Sequence, residues 1–435
     1  MDMKISVIIP VWNGAAVLPG CLEALAAHAD DSLQEIICVN NASTDDSANI
    51  VAQFALVHLL DQPVNLGFAG GVNVGLAAAQ GDVLVLLNQD CLVHAGWLTA
   101  VTTTFTQYKT CGVVGGIIYN EDGAIDHTGA HISQPEGYGV HETAVRSTDT
   151  PYPVEYVTGA LFAIRRQAWQ DIGPLDDAFY PGYFEESDYC YRARRLGYQS
   201  LCAPGVQATH LRSSRAWQQD PIRHNANQHR SRYRFIAKHF SATEVAAFAA
   251  AEERALGQPD VHPHQTMGRL LALRDTLRDL PAITARRQQD LEQPPTPEHE
   301  RLLSVSFTHL LHRVWARAHE TDTAVAHHRA ALQQTKTQLD QLQQQQYDLL
   351  RAIYFKHPQD TQPESTARRL WRRLVLRPLS VITLRDYFLH AKLGYLHAAY
   401  LDQLTHQLAL TQRLLETQTN QRLELLETVA DYEYR

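Results

Sequence analysis

The chain has 435 residues, more than the ~100–200 residues of a typical domain, so two or three structural units are expected. Hydrophobic residues make up 45% and charged residues 20%, which excludes a disordered chain of low hydrophobicity. A formal charge of −9 argues against a general nucleic-acid-binding protein. Residues 1–240 hold 24 acidic and 15 basic side chains, so this half is where metal-binding or catalytic carboxylates are expected.

Six cysteines occur singly, without a CxxC pair, which favours a reducing compartment over a disulfide framework or a zinc site. The segment ISVIIPV at 5–11 resembles a signal peptide, but Pro10, Asn13, Pro19 and Glu23 interrupt the apolar stretch, and a buried strand with its turn is expected. No run of ~18 apolar residues occurs, so no transmembrane helix is predicted. The predicted location is the cytoplasm.

The first 240 residues alternate short β-branched runs with helical stretches. Strands are predicted at 5–11, 35–41, 57–61 and 82–88, and helices at 15–29, 45–56 and 69–80. Continuous apolar strands alternating with helices indicate a parallel sheet covered on both faces. In such α/β sheets ligands bind at the carboxyl ends of the strands, so the polar residues after each strand are the candidates for a site.

The second half of the chain predicts helices, at 242–256, near 266–279 and from 301 onward, with a linker-like segment at 292–300. Apolar residues repeat every seven positions over 325–353 and 401–429, which is typical of a coiled coil or helical bundle. An antiparallel hairpin within one chain and an oligomer stalk fit this pattern equally. A chain ending near residue 256 is expected to be soluble and to keep its ligand site. The predicted domains are an α/β domain at 1–240, a helical linker region at 241–300 and a helical, coiled-coil domain at 301–435.

Several motifs in the first half occur in a characteristic order. They are SVIIPVWNG (6–14), ICVNNASTDDS (37–47), NLGFAGGVNVGL (65–76), LLNQDCLV (86–93), VTGALFAIRR (157–166), the acidic segment within 173–198, and CAPGVQATH (202–210). Together they resemble the inverting, nucleotide-sugar-dependent glycosyltransferases of family two, whose fold is GT-A. The nearest likeness by motif is to rhamnosyltransferase-type enzymes of bacterial surface-polysaccharide (O-antigen) synthesis. The resemblance covers roughly residues 4–240.

The resemblance implies a site for a nucleoside-diphosphate sugar. The residues it assigns to the nucleotide are Pro10, Trp12, Asn13, Asn40, Asn41, Ser43, Asn65, Gly70, Asn73, Asn88 and Gln89. Family members usually have Asp at the position of Asn40; Asn also offers a donor and an acceptor, so the base stays open. An Asx turn that caps the following helix explains the same polar residues, and both roles are compatible. The glycines of 65–73 let the backbone approach a phosphate.

The segment Asn88-Gln89-Asp90 stands where the family has its DxD motif. The resemblance implies that Asp90 and His210 hold a divalent cation, Mg²⁺ or Mn²⁺, which takes oxygen ligands and shares its shell with phosphate and water. Asn88 offers only an amide oxygen. The alternatives are a simple strand-ending turn and, among 22 histidines, a structural His210.

Three acids, Glu185, Glu186 and Asp188, follow Phe184. Inverting transfer requires a base that takes the proton of the acceptor hydroxyl. The resemblance implies that Glu186 is this base and that Glu185 and Asp188 contact the acceptor or position the base. A charged helix start is the alternative, since acids are favoured in a first turn.

Two arginine-containing segments complete the prediction. Arg212 and Arg215 suit a diphosphate, although solvated surface arginines are equally common. Residues 367–377 carry five arginines and no acid. They fit an amphipathic helix on the inner face of an anionic membrane, near a lipid-linked acceptor, and equally fit an interface with the acidic first half.

The sequence thus predicts a metal-dependent inverting hexosyltransferase. The first expectation for the transferred sugar is rhamnose from dTDP-rhamnose, and for the acceptor a growing surface polysaccharide or lipid-linked glycan. A different class of function is a degenerate, non-catalytic domain that acts as a scaffold through its coiled-coil half. Two departures from the family pattern support that alternative: Asn88 in place of the first Asp of the DxD motif, and Glu186 where the family typically has Asp as the base.

Overall fold

A computed structural model describes residues 3–211, 220–258, 263–291 and 296–320. Twelve strands occur in these residues. They are β1 (Ile5–Val11), β2 (Leu33–Asn40), β3 (Val57–Asp61), β4 (Val83–Leu87), β5 (Cys91–Val93), β6 (Cys111–Tyr119), β7 (Ile125–His127), β8 (Ala130–Ile132), β9 (Gly139–His141), β10 (Tyr152–Val154), β11 (Leu161–Arg165) and β12 (Gln199–His210). All but β8 and β9, which pair with each other, belong to one sheet.

Helices cover the sheet and then continue the described chain. They are α1 (Leu18–Ala27), α2 (Ser47–Val51), α3 (Gly67–Ala78), α4 (Trp97–Gln107), α5 (Arg166–Ile172), α6 (Glu185–Arg195), α7 (Pro221–His239), α8 (Ala242–Leu256), α9 (Pro263–Leu291) and α10 (Pro297–Glu320). A short 3-10 helix, Asp177–Phe179, precedes α6. The structure is a mixed α/β core of the GT-A type followed by a helical region, which confirms the predicted fold class.

The main sheet is mixed rather than wholly parallel. Its order is β10-β12-β6-β11-β4-β1-β2-β3, and β1 to β4 run parallel, as predicted. The prediction of a parallel sheet was wrong for β11, which runs antiparallel to both β4 and β6. The apolar run of β11 is buried like its neighbours, and an apolar run gives no information about strand direction.

The core explains why the polar site lies at one edge. Every residue of β4 is fully buried, and β1 has an almost continuous apolar run. The parallel pairing of β1 with β2 and β4 brings the carboxyl ends of these strands to the same edge. The first polar residues after the strands are therefore neighbours, as the rule for α/β sheets requires.

The helices after residue 240 pack on α7. The Arg287 guanidinium donates to the backbone carbonyls of Ala237, Lys238 and Phe240 at 3.1, 2.8 and 2.8 Å. The Phe307 ring lies 5.8 Å from the Tyr233 ring, centroid to centroid. One compact unit accordingly comprises Met1–Asp260 and Gly268–Leu311. A second unit comprises Val261–Met267 and His312–Arg435.

The end of the predicted linker starts a helix. α10 begins at Pro297, and the Thr296 hydroxyl accepts the backbone N–H of His299 at 3.2 Å. Threonine as the N-cap and proline as the first helical residue are favourable start signals. The linker prediction was therefore wrong for residues 297–300. The other domain boundaries stay a prediction.

Shortening the chain tests these helices. The sequence suggested that a chain ending near 256 would keep its site, but this cut removes Arg287 and buried apolar residues of α9 and α10 from the unit of the sheet. We expect a chain ending at 256 to unfold at a markedly lower temperature than one ending at 320, because removing a single large apolar side chain from a core already costs about 3–5 kcal/mol. Circular dichroism melts of both chains measure this, and equal melting temperatures would contradict it.

Several predicted features lie outside the described residues. They are Arg212, Arg215, the seven-residue repeats of 325–353 and 401–429, and the arginine-rich segment 367–377. Among the helices that the structure describes, none combines the length and the apolar composition needed to cross a bilayer.

Candidate active site

The ends of β1 and β4 are joined by a pair of hydrogen bonds. The Trp12 N–H donates to Gln89 Oε1 at 3.0 Å, and Gln89 Nε2 donates to the Trp12 carbonyl at 3.1 Å. Gly14 is close enough to Gln89 that a Cβ at this position would lie 2.2 Å from Oε1. The Trp12 side chain is 53% exposed at this edge. Gln89 thus fixes the turn that presents the Trp12 ring to solvent.

The segment after β2 is held by side-chain hydrogen bonds within itself and to the ends of β3 and β1. Asn40 Nδ2 donates to Asp61 Oδ1 at 2.7 Å, and Asn40 Oδ1 accepts the Ser43 N–H at 3.1 Å. Ser43 Oγ in turn accepts the N–H of Asn13, a residue with φ of 48°. Asn40 therefore orders the loop after β2, and the Asx turn expected at the following helix is made by Asp45, whose Oδ1 accepts the N–H of Ser47 at the start of α2 at 3.1 Å. The sequence did not single out Asp61 as a candidate site residue, although polar residues at the carboxyl end of a strand such as β3 are expected to contribute to a site.

Asn41 and Asn65 shape the start of α3. Asn41 Nδ2 donates to the Gly67 carbonyl at 2.9 Å, and Asn41 Oδ1 accepts the Leu66 N–H at 2.7 Å. Asn65 Oδ1 accepts the N–H of Gly67, whose φ of +74° suits glycine. These amides order the loop from inside, because Asn41 is almost fully buried.

Three further nucleotide candidates lie on β1 and α3. Pro10 packs towards Gly71, and Gly70 lies against Leu66. Asn73 makes a pair of bonds to the backbone of Leu175, donating to its carbonyl at 2.9 Å and accepting its N–H at 3.0 Å. The structure thus gives Asn73 a partner in the segment before α6, 102 residues along the chain.

Asp90 and His210 come together across 120 residues. Asp90 Oδ1 lies 3.1 Å from His210 Nε2, and Asn88 Nδ2 lies 3.4 Å from the same nitrogen. The pairing of β5 with β12, in which Cys91 faces His210 in the ladder, creates this contact. The two residues that the sequence selected as metal ligands are therefore neighbours.

The donor set fits a hard divalent cation. Asp90, Cys91 and His210 each have a ligand atom within 4.8 Å of the others. Burial raises the pKa of the Cys91 thiol well above its ordinary value, so the thiolate that a soft metal needs is disfavoured. Asp90 and His210 remain, and one carboxylate with one imidazole suits Mn²⁺ or Mg²⁺ whose shell is completed by phosphate and water.

Glu186 is linked to the end of β4 through the segment Gly159–Ala160. Its Oε1 accepts the N–H of Gly159 at 3.3 Å, and the carbonyl of the next residue, Ala160, accepts the N–H of Asn88 at 3.1 Å. The start of α6 and the end of β4 therefore flank the same short segment before β11. A Cβ at Gly159 would lie 3.4 Å from the Phe68 ring and 3.5 Å from Glu186 Oε1, so this ring borders the carboxylate.

Burial raises the pKa of Glu185 and Glu186, the first two of the three acids at 185–188. Glu185 is 4% exposed, and burial followed by the neighbouring Glu186 raises its pKa well above the ordinary value. Burial also raises the pKa of Glu186. A carboxylate with a raised pKa accepts a proton more readily, which is the property that a general base requires near neutral pH.

Asp188 differs from both glutamates. Its side chain is 0% exposed and pairs with Lys238 at 2.5 Å, His239 at 2.8 Å and Arg192 at 2.9 Å. Burial disfavours the Asp188 carboxylate, but the charges of Lys238 and Arg192 outweigh this and hold its pKa well below the usual range. Of the two roles expected for Asp188, contact with an acceptor requires exposed surface that it lacks, and positioning of the base fits.

The raised pKa of Glu186 gives a pH dependence with a definite sign. If Glu186 acts as a base it must be ionised, so activity falls as the pH drops through its raised pKa. We expect the acidic limb of the kcat/KM profile to lie above the ordinary glutamate value of about 4.3. Initial rates across pH locate this limb, and a limb at or below the ordinary value would contradict a buried glutamate base.

Comparison with known proteins identifies the family. Residues 6–173 match the model of the family described as Glycosyl transferase family 2. Residues 6–173 form a family 2 glycosyltransferase domain. This confirms the resemblance drawn from the motifs and the expectation of a glycosyltransferase.

Curated relatives match the same half. The N-acetylglucosaminyl-diphospho-decaprenol L-rhamnosyltransferase of Mycobacterium tuberculosis is 24% identical over 233 residues, which are 47% of this chain and 75% of that protein. Glycosyltransferase AglE of Haloferax volcanii is 31% identical over 47% of this chain and 66% of its own length. The match to protein y4gI of Sinorhizobium fredii is 24% identical over 50% of this chain but spans only 25% of that protein.

Two solved structures align with part of the chain. GalNAc-T7 with UDP, GalNAc and Mn²⁺ aligns with a TM-score of 0.49 and 16% identity over 64% of this chain and 57% of its own. The mannosyltransferase PcManGT of Pyrobaculum calidifontis, with GDP-Man and Mn²⁺, aligns with a TM-score of 0.42 and 17% identity over 74% of this chain and 89% of its own.

Proposed function

We propose that this chain is a metal-dependent inverting glycosyltransferase that uses a nucleoside-diphosphate sugar. The observation that carries the proposal is a short chain of contacts: Glu186 bonds Gly159, the next residue Ala160 bonds Asn88, and the Asn88 side chain lies 3.4 Å from His210 of the Asp90–His210 pair. A proton acceptor and a cation site are the two groups that this transfer needs at one sugar. The family match supports the same reaction class.

Glu186 would act on the acceptor. Its carboxylate takes the hydroxyl proton while the hydroxyl oxygen forms a bond to the anomeric carbon. The bond from that carbon to the diphosphate oxygen breaks, and the leaving nucleoside diphosphate takes the electron pair. Attack opposite the leaving group inverts the anomeric configuration. The N–H of Gly159, bonded to Glu186 Oε1, fixes the direction of the carboxylate.

Asp90 and His210 would hold the divalent cation at the diphosphate. When bound, Mg²⁺ or Mn²⁺ neutralises negative charge that grows on the leaving group. Trp12, exposed at the end of β1, offers a flat surface on which the base can stack. Arg212 and Arg215 follow His210 in the sequence and remain our candidates for binding the diphosphate.

We base the proposed donor and acceptor on the relatives rather than on the site. The rhamnosyltransferase relative from Mycobacterium tuberculosis supports dTDP-rhamnose as the first donor to test and a lipid-linked glycan as the acceptor. A lipid-linked acceptor suits the proposed membrane contact of 367–377 on the cytoplasmic side. We further propose that the seven-residue repeats of 325–353 and 401–429 form a coiled coil, either within one chain or between chains.

Ligand-induced stabilisation tests the proposal and separates it from a scaffold. We would record thermal shifts with dTDP-rhamnose, UDP-GlcNAc and GDP-mannose, each with and without Mn²⁺, using free sugars as the control. A ligand that binds only the folded state raises the melting temperature, and the proposal predicts a Mn²⁺-dependent rise with at least one donor. A melting temperature unaffected by every nucleotide, under all conditions, would favour the scaffold.

A further inference from the structure

One buried lysine connects Asp188, the last of the three acids at 185–188, with the helices beyond residue 240. The side chain of Lys238, in α7, is 0% exposed. Its Nζ lies 2.5 Å from Asp188, 2.8 Å from Asp176 and 2.9 Å from Asp290. These carboxylates belong to α6, to the turn before the 3-10 helix, and to α9. A buried ammonium is tolerated only when such partners compensate it, so each partner restricts the others.

Further cations complete the cluster and make its geometry specific. Arg192 pairs with Asp188, Arg234 with Asp176, and Arg286 with Asp290. Together with Lys238, these arginines place four cations around three carboxylates, of which Asp176 and Asp188 are buried and Asp290 is 9% exposed. The Arg234 and Lys238 charges also lie 5.3 and 5.7 Å from the Phe179 ring. The cluster is therefore a compensated network rather than an isolated pair.

The network contacts α6 at the turn that carries the proposed base. Asp188 is two residues after Glu186, and its N–H donates to the Phe184 carbonyl at 2.8 Å. Tyr183 and Phe184, which lead into α6, have φ of 78° and 71°. Non-glycine residues hold such conformations only where the surrounding structure enforces them. The Asp188–Lys238 ion pair ties the first turn of α6 to α7 and supplies such a constraint.

We propose that Lys238 is a positioning residue for Glu186, acting through Asp188. Through its ion pair with Lys238, Asp290 makes α9 contribute to the same positioning. The inference rests on the proposed function, since it concerns the alignment of the base. Lys238 does not touch substrate in this account. Its role is to hold the start of α6 so that the Glu186 carboxylate stays against Gly159.

The main test is Lys238→Met in the full-length chain, assayed with Mn²⁺ and the nucleotide sugar that the wild type turns over, with water or glycan as acceptor. We expect kcat to fall about 10²-fold, the effect of a small misplacement of a catalytic group, while the donor Kd stays unchanged. The acidic limb of the pH profile should move to higher pH, because the substitution removes a positive charge near Glu186 and so raises the pKa of its carboxyl group.

Asp290→Asn gives a second, milder test, which decides the question if Lys238→Met does not fold. Asp290 is another carboxylate partner of Lys238, and removing its charge lets Lys238 compensate Asp188 more fully. We expect a smaller loss of kcat and a shift of the acidic limb to lower pH, opposite to Lys238→Met. A merely structural role would lower the yield of folded protein without moving the limb.

Arg269→Met is the matched control. Arg269 also lies in α9 and forms a buried ion pair, but with Glu252 of α8 at 2.9 Å. We expect this variant to lose stability and to keep the wild-type kcat and pH profile once folded. If Lys238→Met and Asp290→Asn fold and both match the wild type in kcat and pH profile, the inference is wrong while the proposed function stands. If the wild type turns over no donor, the proposed function itself fails.

Discussion

Replacing Glu186 by glutamine is expected to lower kcat by roughly 10²–10⁴-fold and to leave donor affinity unchanged. The amide keeps the size of the side chain and still accepts the Gly159 N–H, but it cannot take a proton from the acceptor. Because burial raises the pKa of Glu186, the folded protein holds an unfavourable charge there at neutral pH. The variant should therefore melt at no lower temperature than the wild type. Steady-state kinetics with calorimetric donor titration, together with a thermal melt, measures these effects.

The neighbouring acids are the controls for this variant. Glu185→Gln should mainly weaken acceptor binding, and Asp188→Asn should lose activity to an intermediate extent together with stability, since it breaks the ion pair with Lys238. A plain helix-start role would make all three substitutions mild and similar. Full-speed turnover by Glu186→Gln would transfer the role of base to Glu185, because burial raises the pKa of Glu185, whereas the charges of Lys238 and Arg192 outweigh burial at Asp188 and hold its pKa well below the usual range.

Replacing Asp90 by alanine is expected to abolish metal-dependent donor binding. The substitution removes the carboxylate that faces His210, while the backbone bond from Leu211 N–H to the Asp90 carbonyl is kept. The fold should therefore persist, and Mn²⁺ should no longer tighten donor binding. Isothermal titration of the donor with and without Mn²⁺ provides the measurement.

The control is Asp82→Ala, at the opposite end of β4, where the exposed carboxylate accepts the Lys4 N–H at 3.0 Å. It removes one acid next to the same strand without reaching the site edge, so its Mn²⁺-dependent affinity should equal that of the wild type. Asp90→Ala with wild-type Mn²⁺ dependence would remove Asp90 from the cation site.

The sequence predicted the elements that local pattern decides. β1, β3 and α8 have the predicted bounds. Apolar runs and an N-cap such as Ser241 are local signals, which can be recognised from neighbouring residues in the sequence. The direction of β11 was missed because strand pairing is set by distant segments. Pro297 was interpreted as a linker residue because proline suits both a loop and a helix start.

The candidate site was predictable to the extent that motifs mark strand ends. Motif order selected Asp90 and His210, and β-sheet pairing brings them to 3.1 Å. The partners of buried polar groups could not be predicted in the same way. The bonds of Asn73 to Leu175 and of Lys238 to Asp290 join segments far apart in the sequence, and only tertiary packing pairs them.

The anomeric configuration of the product distinguishes inverting transfer from every other outcome. The wild-type chain would be incubated with dTDP-rhamnose and a panel of other nucleotide sugars, Mn²⁺, and a short-chain N-acetylglucosaminyl diphosphate lipid as acceptor. Proton NMR of the product would then give the anomeric configuration of the transferred sugar. The account predicts transfer with inversion that ceases when the metal is chelated. Product with retained configuration, or a chain that binds these donors with Mn²⁺ and transfers none of them, would contradict it.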